Sequence, residues 1–140
     1  MRYLFLLTIF FLPSVGLADE FEFFETHIRP VLITHCYDCH NSDTSEADLR
    51  LDLRQGLLKG GKSGPAIIPG QPSKSLLIKA ITDKDEHRRM PPKDSGDRLS
   101  DQQIAHFQTW IRNGAPDPRN GSFTTSINNT AKSHWAFQSL

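Results

Sequence analysis

Cys36-Tyr37-Asp38-Cys39-His40 sets two thiols three residues apart and follows the second with an imidazole. Three chemistries use such a group: a dithiol redox pair, a zinc site, and thioether attachment of a c-type haem. A dithiol enzyme calls for a strand before the motif inside a βαβ pattern, and neither is evident. Zinc is poorly served, because these two are the chain's only cysteines. Adding another histidine to Cys36, Cys39 and His40 still crowds three ligands into five residues, a poor tetrahedral cage. Haem attachment fits the spacing. Thiols on one helical turn reach the two vinyl groups on neighbouring porphyrin edges, and each addition leaves one carbon–sulfur bond. His40, next in line, then turns its imidazole to the iron from one face. One such motif implies one covalent haem c per chain.

An iron held by His40 has a sixth position to fill or leave open. Met90 is the leading candidate. It is the sole methionine besides Met1, and it lies in a polar stretch where a core methionine is not expected. Pro91 and Pro92 keep the chain extended behind it. The rivals are His27, His35, His87, His106 and His134, each more simply read as a surface histidine. A thioether opposite an imidazole favours reduced iron, so the pair raises the potential relative to two histidines. A filled coordination shell argues for electron transfer rather than oxygen chemistry.

The remainder of the chain must export and position these groups. Met1-Arg2 followed by the apolar run to Leu12, the Pro13-Ser14 break and Gly16-Leu17-Ala18 read as a secretory signal over residues 1–18. The apolar run is too short to span a bilayer, so no membrane span is expected after cleavage, and the place is the periplasm or another exported site. Residues 19–116 read as one small domain and residues 117–140 as a polar linker and tail. Sixteen basic against 16 acidic residues give no basic footprint, and nucleic acid is not an expected partner.

Inside the domain, Phe24, Ile28, Val31 and Leu32 form a helical stripe interrupted by Pro30, which predicts a kink or a second start. Leu49, Leu51 and Leu53 alternate with charges and fit either an extended piece or a helical turn. Lys59 to Gly70 is a glycine- and proline-rich loop. Ser73 is a candidate cap for a helix whose face is Leu76, Leu77, Ala80 and Ile81. Ser100 and Gln103 form a capping box ahead of Ile104, Phe107 and Ile111, and Gly114 and Pro116 end that helix. Arg50, Arg54, Lys59 and Lys62 read as a solvated charged face, with haem propionates as the alternative partner. The mixed charges of Asp83 to Arg89 read as surface. Loops this long suggest that something besides apolar packing holds them.

Together these residues resemble the planctomycete-type cytochrome c domain. The likeness runs from about Phe23 to Pro116 through Ile28-Arg29-Pro30, the Cys36–His40 motif, Leu49-Arg50-Leu51-Asp52, Gly60-Gly61, Ser63-Gly64-Pro65-Ala66, Pro69-Gly70, Met90-Pro91-Pro92-Lys93 and Trp110-Ile111-x-x-Gly114-Ala115. The resemblance implies an all-α, class I-like cytochrome c fold with long haem-wrapping loops. It implies that the first and last helices cross beside the haem motif, with Phe24 and Trp110 placed for that crossing. It also supports His40 and Met90 as axial ligands. Members of such families often continue into larger regions, and Ser133-His134-Trp135-Ala136-Phe137-Gln138 resembles the start of one. The expectation is therefore an exported single-electron carrier, not an enzyme, serving a redox partner protein or an attached domain. The alternative is a haem-stapled accessory or sensor module with an open or exchangeable sixth iron site.

Overall fold

The computed structural model describes residues 21–119. The leader over 1–18 and the tail cluster around Trp135 lie outside the described residues. Helix begins at residue 21 and passes into a π turn at Phe24–Ile28 before resuming as α1, Arg29–His35. Pro30 explains the change of pitch. It has no N–H to give to the carbonyl four residues back, and the Arg29 N–H reaches instead to the Phe24 carbonyl. The interruption leaves the predicted stripe intact: Phe24, Ile28, Val31 and Leu32 are all buried.

After α1 the chain is largely irregular. A 3₁₀ turn at Glu46–Asp48 leads to residues 49–53, where Leu49 and Leu53 are extended, residues 52 and 53 bend, and Leu51 is buried. Then come α2 (Arg54–Lys59), a second 3₁₀ turn (Pro72–Lys74), α3 (Leu76–Thr82) and α4 (Asp101–Arg112). Among the described residues there is no named strand, only isolated bridges, so the all-α expectation holds. The long loops are tied at several points by packing and backbone hydrogen bonds. Ala66 and Ile67 are buried, and their N–H groups both donate to the Leu57 carbonyl, at 3.0 and 3.2 Å. Gly70 N–H donates to the Ile111 carbonyl of α4 at 2.7 Å. Gly60, at φ +72°, could not carry a side chain, since a Cβ there would lie 1.8 Å from the Gly64 carbonyl oxygen.

The cap of α3 differs from expectation. Ser73 lies in the preceding 3₁₀ turn, and Ser75 is the N-cap residue. The Ser75 hydroxyl does not cap the helix. It is fully buried, donates to the Gln71 carbonyl and accepts from Ile68 N–H, tying loop to helix. The buried face of α3 is Leu77, Ile78 and Ile81, so Ile78 stands where Leu76 was expected. The α4 capping box forms as predicted. Phe107, Trp110 and Ile111 face inward, and Gly114 takes φ +93° where the helix stops.

The N-terminal helix and α4 pack across one another, as the resemblance implied. The rings of Phe24 and Trp110 lie 5.6 Å apart, and His27 stacks on His106 at 4.3 Å with Phe23 at their edge. Trp110 donates its indole N–H to the Pro116 carbonyl at 2.8 Å, turning the chain back over the crossing. The packed unit runs on past Pro116, because Asp117 and Arg119 are both buried. Arg119 forks onto the Asp117 carboxylate with a closest contact of 2.6 Å. It also donates to the Leu51 carbonyl at 2.9 Å and to the Tyr37 hydroxyl, and its guanidinium lies 4.7 Å from the Phe24 ring centre.

Two substitutions test this packing. Phe24→Ala should lower unfolding free energy by about 3–5 kcal/mol in denaturant titrations, because the hole it leaves is walled by a rigid indole. Arg119→Met should cost a similar ~3–5 kcal/mol by stranding the Asp117 carboxylate. Adding Asp117→Leu to that variant should restore part of the loss, since no buried charge is then left without a partner.

Candidate cofactor site

Helix α1 delivers the Cys36–His40 motif. Cys36 caps its C-terminus, and the N–H groups of Cys36 and Tyr37 both close on the Leu32 carbonyl at 3.0 Å. One further turn follows: Cys39 N–H and His40 N–H donate to the Cys36 carbonyl at 3.3 and 3.0 Å. The motif is therefore the one-turn arrangement its spacing predicts. Asn41 locks the exit, donating to the Tyr37 carbonyl and accepting from the N–H groups of Asp43 and Thr44. His40 is held at its own carbonyl by Leu51 N–H at 2.9 Å. Arg119 reaches the motif from far along the chain through the Tyr37 hydroxyl.

Both cysteines are free thiols and partly buried. Burial, reinforced by the neighbouring Cys39, pushes the Cys36 thiol up to about 12. A thiol that stays protonated at neutral pH is a poor redox nucleophile and a poor zinc ligand. Among the described residues no cluster of three or more His, Cys, Asp or Glu side chains could hold a metal ion by itself. Tyr37 is also pushed up, by burial first, against the lowering effect of Arg119.

The residues present fit a haem. Among the described residues, two side-chain polar atoms are buried with no hydrogen-bond partner: His40 Nδ1 and Arg89 Nη1. One belongs to the imidazole that follows the two thiols. The other immediately precedes Met90 in the chain. Met90 is 40% exposed on a loop whose backbone is fixed, since its N–H donates to the Ala80 carbonyl at 3.0 Å and Pro91 is buried. Of the rival histidines, His27 and His106 are engaged in the helix crossing, His35 ends α1, and His87 is exposed. His134 lies outside the described residues.

The basic group near the motif divides. Arg50 is bound by Asp52 through two contacts of 3.0 and 2.7 Å, and that hydrogen-bonded pairing holds the Asp52 carboxyl below its ordinary value. Lys62 faces Asp48 at 3.9 Å with both side chains open to water. The solvated-face reading suits these two. Arg89 corrects the surface reading of its segment, because it is 7% exposed. Sequence reasoning also missed Asp117 and Arg119. An Asp-x-Arg pair in a stretch rich in Pro, Asn and Ser carries no periodic signal, and only the fold shows that it turns inward.

Two thiols and a histidine thus share one turn, the arrangement that attachment of a c-type haem requires. Residues 36–94 match the family model described as planctomycete cytochrome C, the domain type the sequence resembles. The match opens on Cys36 and closes just beyond Met90. No curated protein and no solved structure matches the chain significantly. No described helix is long and apolar enough to cross a membrane.

The raised Cys36 thiol gives a direct test. In haem-free protein at pH 8 burial keeps Cys36 overwhelmingly as the protonated thiol. Alkylation followed by mass spectrometry should therefore leave Cys36 nearly untouched at pH 8 and modify it rapidly only near pH 12. Prompt labelling at pH 8 would show an open, reactive thiol pair instead.

Proposed function

We propose that the chain is an exported monohaem c-type cytochrome that carries single electrons. One observation carries the reading: the two free thiols of Cys36 and Cys39 share a turn with His40, whose buried Nδ1 has no partner among the described residues, within a segment of cytochrome C type. In this reading Cys36 and Cys39 hold the haem through thioethers, and His40 and Met90 are its axial ligands. When bound, haem c supplies a one-electron couple between ferric and ferrous iron.

The chain's own residues set the conditions for that couple. Leu51 N–H and the Asn41 turn fix the backbone on either side of His40, so its imidazole is presented from a rigid base. The bond from Met90 N–H to the end of α3 fixes the loop that offers the thioether. Cys36 and Tyr37 are themselves packed against the apolar core, which lowers the dielectric on that side of the motif. The leader over residues 1–18 would bring the chain to the compartment where haem is attached. A redox partner protein or an attached domain would receive the electron.

A second reading keeps the haem but leaves the sixth position open or exchangeable, in a sensor or accessory module. The 40% exposure of Met90 favours it, since an exposed thioether on a surface loop is more readily displaced.

The experiment is the ferric and ferrous optical spectrum of protein produced with haem-maturation machinery, beside Met90→Ala. A c-type haemochrome and a far-red sulfur-to-iron band that disappears in Met90→Ala are expected. Covalent haem with no such band, and ready binding of carbon monoxide, would select the second reading. Absence of covalent haem would overturn both.

A further inference from the structure

A buried guanidinium needs an anion, and among the described residues Arg89 has none. It is 7% exposed, Nη1 is shut off from water without a hydrogen bond, and no ion pair is formed by its side chain among the described residues. The acids of its own segment are already committed. Arg88 binds Asp83 at 3.5 Å and Asp85 at 3.1 Å, and Lys93 binds Glu86 at 3.1 Å. Asp83 and Asp85 spend further acceptor capacity on the Asp85 and His87 N–H groups, both at 3.0 Å. An unpaired cation in such a place is costly enough to threaten a small domain.

The backbone holds Arg89 where it is. Its N–H donates to the Asp85 carbonyl at 2.9 Å, the next N–H donates to the Ala80 carbonyl at 3.0 Å, and the following residue, Pro91, is buried. The inward turn of this arginine, beside an outward Met90, is thus part of the loop's structure. With no ion pair to it among the described residues, the fitting partner is an anion that arrives with something else. Resting on the haem reading above, the candidate anion is at hand: haem carries two propionate carboxylates, and a guanidinium binds a carboxylate through two parallel hydrogen bonds.

We propose that Arg89 binds a haem propionate. It thereby completes its own missing ion pair only when haem is attached, and joins the Met90 loop to the porphyrin at a second point. Two of the four basic residues for which propionates were the alternative partner are placed otherwise: Arg50 has Asp52, and Lys62 lies open to solvent.

The test uses haem-loaded protein and compares wild type with Arg89→Met, Arg89→Lys and Arg88→Gln. Resonance Raman reads the propionate bending mode, which reports hydrogen bonding to the carboxylate, and redox titration reads the ferric/ferrous balance. Arg89→Met should shift the bending mode and move the balance about tenfold toward ferric, because a positive charge near the iron is lost. Arg89→Lys, which keeps the charge but not the fork, should restore most of the balance and little of the bending mode. Arg88→Gln should change neither. If Arg89→Met fails to accumulate, the Arg89→Lys mode shift decides. A bending mode unmoved in Arg89→Met, or in Arg89→Lys when that variant alone is available, overturns the proposal and leaves the haem reading standing. A wild type without covalent haem overturns both together.

Discussion

The Phe24 ring is where the structure is tied together. It is fully buried at the start of the π turn. It meets Trp110 of α4 at 5.6 Å and the Arg119 guanidinium at 4.7 Å. Trp110 holds the chain at Pro116, and Arg119 holds Asp117, the Leu51 carbonyl and the Tyr37 hydroxyl. One aromatic side chain therefore joins the first helix, the last helix, the segment after it and the turn that bears the thiols. Aromatic contacts and a buried, paired cation supply shape as well as apolar area. A domain of this size has few other places to anchor its loops.

That hub explains why a site built mostly on irregular chain can be well defined. The motif turn is braced from three sequence distances: by α1 behind it, by Asn41 and Leu51 ahead of it, and by Arg119 from beyond α4. The Met90 loop depends on different supports, the end of α3 and the buried Pro91. A haem bridging the two would connect parts of the molecule that rest on separate foundations. The two buried atoms without partners, at His40 and Arg89, mark the places where the protein's own bonding is incomplete.

The electrostatic pattern follows the same division. Exposed charges pair locally, as Arg88 does with Asp83 and Asp85, and such pairs contribute little to stability. Buried charges are few and each has a structural consequence. Burial draws the Arg119 guanidinium down, but Asp117 and Tyr37 hold it up, and the balance is upward. Arg119 thus remains a cation at the centre of its network.

Much of this protein was legible in local sequence. The thiol–thiol–imidazole spacing, the stripe of the first helix, the interruption at Pro30 and the Ser100–Gln103 box all act over a turn or two, where covalent geometry and helix periodicity dominate. Those features point to the cofactor class and set the helical character. Other decisions belonged to the tertiary structure. Ser75 rather than Ser73 stands at the N-cap of α3, and its hydroxyl is claimed by Gln71 and Ile68 across the loop instead of capping the helix. Arg89 is buried while Arg88 is not, although the two are neighbours of one type. Asp117 and Arg119 reach back to Leu51 and Tyr37 from the far side of the last helix. Local pattern cannot announce such pairings, because the free energy of a buried charge depends on which distant partner the folded chain brings to it.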